Sequence, residues 1–213
     1  MLGLLSEFPL AFAIVFPVLL LSITFHEFAH CWITDRLGDP TPRANGRLTL
    51  DPRAHLDPMG VVMILLTNFG WGKPAPFDPY NLRNPVRDAA IIAAAGPTSN
   101  LFLAAIAAIL LKLSLVLGIL PFVWWQMAMV QIILINVSLA VFNLVPVHPL
   151  DGSKILMALL PRNLSYDFEI FMRRYGTVVL IMLLIPWGSS GSPIGSLLSP
   201  VISFITNLLI SFM

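Results

Sequence analysis

Uncharged runs alternate with short polar segments along this chain. No Asp, Glu, Lys or Arg occurs in residues 8–24, 113–150 or 175–213. A bilayer core takes roughly 20 apolar residues per helix, so these runs predict membrane helices. The first covers residues 7–34, with Pro9 and Pro17 in its first half, which membrane helices tolerate. It stops near Gly38, Asp39 and Pro40. It reads as a retained helix, because Glu7 is acidic and no early Lys or Arg supplies the basic start of a cleaved signal. Further helices are expected over 86–111, 122–145 and 171–186. A last apolar segment of about 13–18 residues reads as a short span or a half-inserted helix.

The polar segments differ in kind. GRLTLDP, residues 46–52, reads as a short strand ending in a turn. The apolar stretch 61–66 that follows is too short to span a bilayer. It fits a re-entrant segment, an interfacial loop or one edge of a hairpin. A short helix is expected over 152–160, an interfacial stretch over LSYDFEIFMRRYG, and a Gly/Ser/Pro loop over 188–200. The expected fold is therefore an all-α polytopic membrane protein of about five to six membrane segments, with a short β or re-entrant element after the first helix. It forms one membrane-embedded domain over 1–213, with a core at 8–160 and C-terminal membrane segments at 164–213.

Composition strengthens this class. Of 213 residues, 57% are hydrophobic and 11% charged, against about 25% charged in a soluble domain. A soluble core would need polar faces that these helices lack. A net charge of +1 without aromatic-basic interleaving excludes nucleic acid as a partner. Cys31 is alone, so no intrachain disulfide forms. The bilayer itself is the expected partner, and oligomeric state is not legible. Arg36, Arg43, Arg47, Arg53, Lys73, Arg83 and Arg87 follow the first helix, and Arg162, Arg173 and Arg174 precede the last segments. Basic residues favour the cytoplasmic side. That places the N-terminus outside, and both HEFAH (26–30) and HPLDG (148–152) at cytoplasmic helix ends.

HEFAH is where the chemistry concentrates. Positions i and i+4 share a helix face, so His26 and His30 can chelate one ion. Glu27, about 100° round the helix, can hold a metal-bound water. A plain interfacial cluster of hydrogen-bonding groups is the alternative, but an unpaired Glu near lipid is costly. A catalytic zinc wants a third protein ligand and an open position. Asp151 leads as that ligand, with the N-cap of the following helix as its other reading. His148 is three residues earlier and is read as ligand, substrate-side group or bystander; His55 is less constrained. Asn143 and Asn100 either donate to a developing oxyanion or tie helices together. Gly96 reads as a site of close helix packing.

HEFAH at 26–30, AGPTSN at 95–100 and NLVPVHPLDG at 143–152 together resemble the site-2 protease family of intramembrane zinc metalloproteases. The resemblance extends to GRLTLDPRAHLDPMG and GWGKPAPFDPYNLRNP, as in the compact prokaryotic branch without a PDZ domain. It covers most of 8–160 and is weak over the last fifty residues. It implies a site-2-protease-like core in the prokaryotic cytoplasmic membrane, cutting transmembrane or membrane-associated protein substrates near the cytosol. By motif match it implies one zinc per chain held by His26, His30 and Asp151, Glu27 as base and Asn143 as a helper in substrate or transition-state binding. His148 departs from the usual pattern, where an apolar residue or proline stands. A membrane metal transporter or sensor, or a scaffold that retains a zinc site, is the competing class.

Overall fold

A computed structural model describes residues 1–118, 123–186 and 191–211. In chain order the helices are α1 (Leu2–Glu7), α2 (Pro9–Arg36), α3 (Thr41–Ala44), α4 (Pro52–His55), α5 (Pro58–Thr67), α6 (Pro85–Val116), α7 (Val123–Asn143), α8 (Asp151–Leu159), α9 (Arg162–Leu184) and α10 (Pro193–Ser211). Four are long and apolar enough to cross a membrane: α2, α6, α7 and α10. The protein is thus a multi-pass membrane protein. The expected start of the third helix at Phe122, and residues 188–190 of the expected Gly/Ser loop, lie outside the described residues.

Helix α6 is the centre of the bundle and packs on α2, α7 and α8. Ala104, Ala107, Ala108 and Leu111 form one stripe along it and meet Met129, Ile133, Val137 and Val141 of α7. Small residues let membrane helices approach closely, since lipid provides no hydrophobic drive between them. Helix α10 covers this seam with Leu198, Ile202, Ile205 and Leu209. A second cluster joins the 144–150 loop to the C-terminal helices through Val145, Val147, Leu150, Leu180 and Ile194. It fixes the approach to α8. Pro17, Pro97 and Pro200 lie inside α2, α6 and α10 without ending them.

Two expectations are corrected. The described residues contain no β-strand, and neither the strand nor the re-entrant element expected after the first helix is present. Residues 46–51 are irregular, Pro52 opens α4, and 61–66 lies inside the single helix α5. The cause is local. Asp57 caps α5 by accepting from Met59 N (2.8 Å) and Gly60 N (3.2 Å), and Pro58 stands at its first position. All that remains of β pairing is one isolated bridge, Leu56 to Gly72. Among the described residues the long apolar helices number four, not five or six. Helix α9 is continuous, but Arg162, Asp167, Glu169, Arg173 and Arg174 fill its first half. Its uncharged remainder is too short to cross about 30 Å of hydrocarbon.

Candidate metal centre

His26 and His30 lie one turn apart on α2 and are 6% and 5% exposed. Their rings stand 4.6 Å apart and almost perpendicular. Both Nε2 atoms lie 3.2 Å from Asp151 Oδ2. One donor atom from each of the three residues lies within 4.8 Å of the others. Asp151 is not the N-cap of α8; Leu150 is, and the Asp151 carboxylate makes no capping bond. The helix start instead aims the carboxylate at the histidines.

The far sides of both rings are engaged. His30 Nδ1 is 2.7 Å from Ile92 O, and His26 Nδ1 is 2.6 Å from Asn100 Oδ1. A carbonyl only accepts, so His30 donates its Nδ1–H and keeps a lone pair on Nε2. Such an outer partner fixes tautomer and ring orientation in metal-binding histidines. Gly96 makes the room: a Cβ there would lie 2.4 Å from His30 Nε2 and 2.6 Å from His26 Nε2. Asp151 is brought in by a second close approach, since a Cβ on Gly152 would lie 2.2 Å from Leu144 O.

These donors suit a divalent ion. Ligands about 2.0–2.1 Å from a tetrahedral zinc are separated by about 3.3 Å, close to the spacing of Asp151 Oδ2 from each histidine nitrogen. Two imidazoles and a carboxylate also leave one position open. The described residues contain no other group of three His, Cys, Asp or Glu side chains that converges this way.

The remaining candidates are not among the three converging donors. Glu27 is half-buried on α2, and a Cβ on Gly72 would lie 3.1 Å from its Cγ and Oε1, so the chain at residue 72 packs over it. Asn143 ends α7 and donates Nδ2 to Leu139 O at 2.9 Å; it makes no hydrogen bond to His26, His30 or Asp151. His148 is backed by α9 at Gly176, and His55 donates Nε2 to Thr49 O at 2.7 Å. Neither joins the cluster. Two contributors were under-read in the sequence: Gly96 as the floor beneath the imidazoles, and Asn100 as the partner of His26. Their spacing of four residues put them on one helix face, which was the available signal.

An all-helical membrane bundle with a buried His/His/Asp cluster defines a membrane metallohydrolase class. Comparison with known proteins gives the particular family. The model for Peptidase family M50 matches residues 118–183. The chain is 36% identical over 176 residues, 80% of both chains, to the putative zinc metalloprotease YwhC of Bacillus subtilis (strain 168). It is 32% identical over 152 residues to the putative zinc metalloprotease Rip2 of Mycobacterium tuberculosis (strain ATCC 25618 / H37Rv), covering 68% of this chain and 58% of that one. Rip2 of Mycolicibacterium smegmatis (strain ATCC 700084 / mc(2)155) is 29% identical over 153 residues, 66% of this chain and 55% of that one. No solved structure matches. The chain belongs to peptidase family M50, the site-2 protease family of zinc metalloproteases, and is a hydrolase of that class.

Proposed function

We propose that the protein is a zinc-dependent intramembrane endopeptidase that hydrolyses peptide bonds of membrane-spanning substrates near the cytoplasmic side. The convergence of His26, His30 and Asp151 among apolar helices carries this reading. These three residues would hold one zinc. When bound, zinc lowers the pKa of a coordinated water and polarises the scissile carbonyl. Glu27 takes the proton from the attacking water as the C–O bond forms, and returns it to the amine as the C–N bond breaks. Asn143 donates to the substrate or to the developing oxyanion. To do so it gives up Leu139 O, a bond made within its own helix.

The chain acts as one membrane-embedded unit, with its core at 8–160. The cytoplasmic assignment rests on the seven basic residues that run from the last residue of α2, Arg36, to the first turn of α6 at Arg87. A helical substrate hides its carbonyls in hydrogen bonds, so it must unwind locally before the attack. Glu27→Gln tests the reading against a transporter or scaffold. The variant is expected to bind one zinc per chain and to cleave nothing, while wild type cuts a co-expressed single-span substrate. Equal behaviour of the two proteins, with no cleavage by wild type, would sink it.

A further inference from the structure

Asn100 and Asn136 are fully buried amides on neighbouring membrane helices, α6 and α7. An amide can present either its oxygen or its nitrogen to a neighbour. The contacts here fix which. Asn136 Nδ2 lies 2.9 Å from Ile132 O and 2.9 Å from Ser22 Oγ. The backbone carbonyl only accepts, so the nitrogen must point there, and Asn136 Oδ1 is turned towards Asn100. Asn100 answers with Nδ2, 2.8 Å from Asn136 Oδ1 and 3.2 Å from Ser22 O. Its Oδ1 is thereby left for His26 Nδ1 at 2.6 Å.

We infer that Asn136 is a positioning residue that sets the tautomer of His26 through Asn100. The polarity of the relay is set at two backbone carbonyls, Ile132 O acting on Asn136 and Ser22 O on Asn100, and ends at the ring. A flipped Asn100 would turn its NH₂ towards Nδ1. The ring proton would then move to Nε2, the atom that faces Asp151, and the lone pair needed for a metal would be lost. His30 needs no relay, because its Nδ1 meets Ile92 O directly. The two histidines therefore depend on different parts of the bundle: His30 on the backbone of α6 alone, His26 on three membrane helices at once. The relay is also neutral. A carboxylate beside His26 would orient the ring equally well but would place another charge among apolar helices.

The inference rests on the zinc reading of the site, but its test uses no peptide cleavage. Zinc affinity is measured by chelator competition on purified protein in detergent, with melting of the metal-free protein as the control for folding. Asn136→Leu is expected to weaken zinc about 10- to 100-fold, the usual loss when an outer partner is removed. Asn100→Leu should weaken it at least as much, and the double variant no more than Asn100→Leu alone, because Asn136 acts only through Asn100. Asn136→Asp keeps an acceptor for Asn100 and should recover most of the affinity. In zinc-loaded protein labelled with ¹⁵N-histidine, the Nδ1–H signal of His26 should shift in Asn136→Leu while that of His30 stays. If Asn136→Leu does not fold, Asn136→Ser is read in the same way, its hydroxyl being too short to reach Asn100. Unchanged zinc affinity with a lowered melting temperature, additive losses in the double variant, or equal movement of both histidine signals overturns the relay. Wild type that binds no zinc overturns it together with the proposed function. Zinc binding that follows the expected pattern without any proteolysis supports the relay and removes the proposed function alone.

Discussion

The membrane core of α2, α6 and α7 and the 37–84 segment both border the site, yet they use polar side chains differently. The core turns its buried amides to the site: Asn100 bonds directly to His26, and Asn136 and Ser22 reach it through Asn100. Of its polar side chains the 37–84 segment buries only Asp39, Arg47 and His55, and spends them on its own irregular backbone. Asp39 accepts from Thr41 N, Thr41 Oγ1, Asp78 N and Asn81 Nδ2. Arg47, 4% exposed, donates to Pro74 O and Lys73 O. The difference follows from the backbone. A helix in lipid satisfies its own peptide groups, which frees its polar side chains for chemistry. A loop leaves its peptide groups unpaired, so its side chains are taken up in pairing them.

The largest break in this contrast is expected at Gly96. Gly96→Ala puts a methyl group 2.4 Å from His30 Nε2, and neither the imidazole nor the rigid helix can give way. Zinc affinity and proteolysis should fall by at least about 100-fold, while the metal-free protein still inserts and melts as a bundle. Zinc titration beside a melting curve checks both halves of that statement.

Asp39→Ala tests the other region. It removes the acceptor of four hydrogen bonds and leaves buried donors unpaired, at a cost of about 3 kcal/mol. Limited proteolysis should then cut the 37–84 segment first. Zinc binding by the folded fraction should change little, because Asp39 contacts none of the three metal-site residues.

Acid should loosen the loop before the core packing. Burial lowers the His55 imidazole below its ordinary 6.5, outweighing the hydrogen bond to Thr49 O. The opened loop therefore takes up a proton first. The contribution of His55 is complete above about pH 6.5 and declines as pH falls below it. Asp39 acts lower. Burial raises its carboxyl, but the donors from Thr41, Asp78 and Asn81 prevail and hold it below its ordinary 3.8. Its contribution is present above that value and is lost as pH falls through the depressed one. Protease susceptibility of the 37–84 segment should therefore rise in two stages, one starting near pH 6.5 and one below about pH 4. A single transition shared with the bundle would erase the distinction between the regions.

The smallest effect is expected from the ion pair of Arg43 with Asp35, 2.7 Å long on a guanidinium that is 71% exposed. Arg43→Ala should leave the melting midpoint within about 1 °C. A larger shift would mean that the surface of the loop, and not only its buried acceptors, holds it in place.

The helices were legible because lipid demands long uncharged runs, and the runs that became α2, α6 and α7 stand out against only 11% charged residues. The sequence likewise determined the His26/His30 pair, since four-residue spacing on a helix leaves no other arrangement. It misjudged α5 and α9. Asp57 and Pro58 turned an apolar hexapeptide into a capped helix, and charges along α9 left its apolar end too short to count as a span. Only the tertiary structure decided the rest. It brought Asp151 across 125 residues to His26, set Gly96 beneath the rings and turned Asn100 towards one of them. Periodicity fixes which face of a helix a residue occupies. Which helices meet, and which end of an amide points at a neighbour, depends on packing between segments, and no local pattern encodes it.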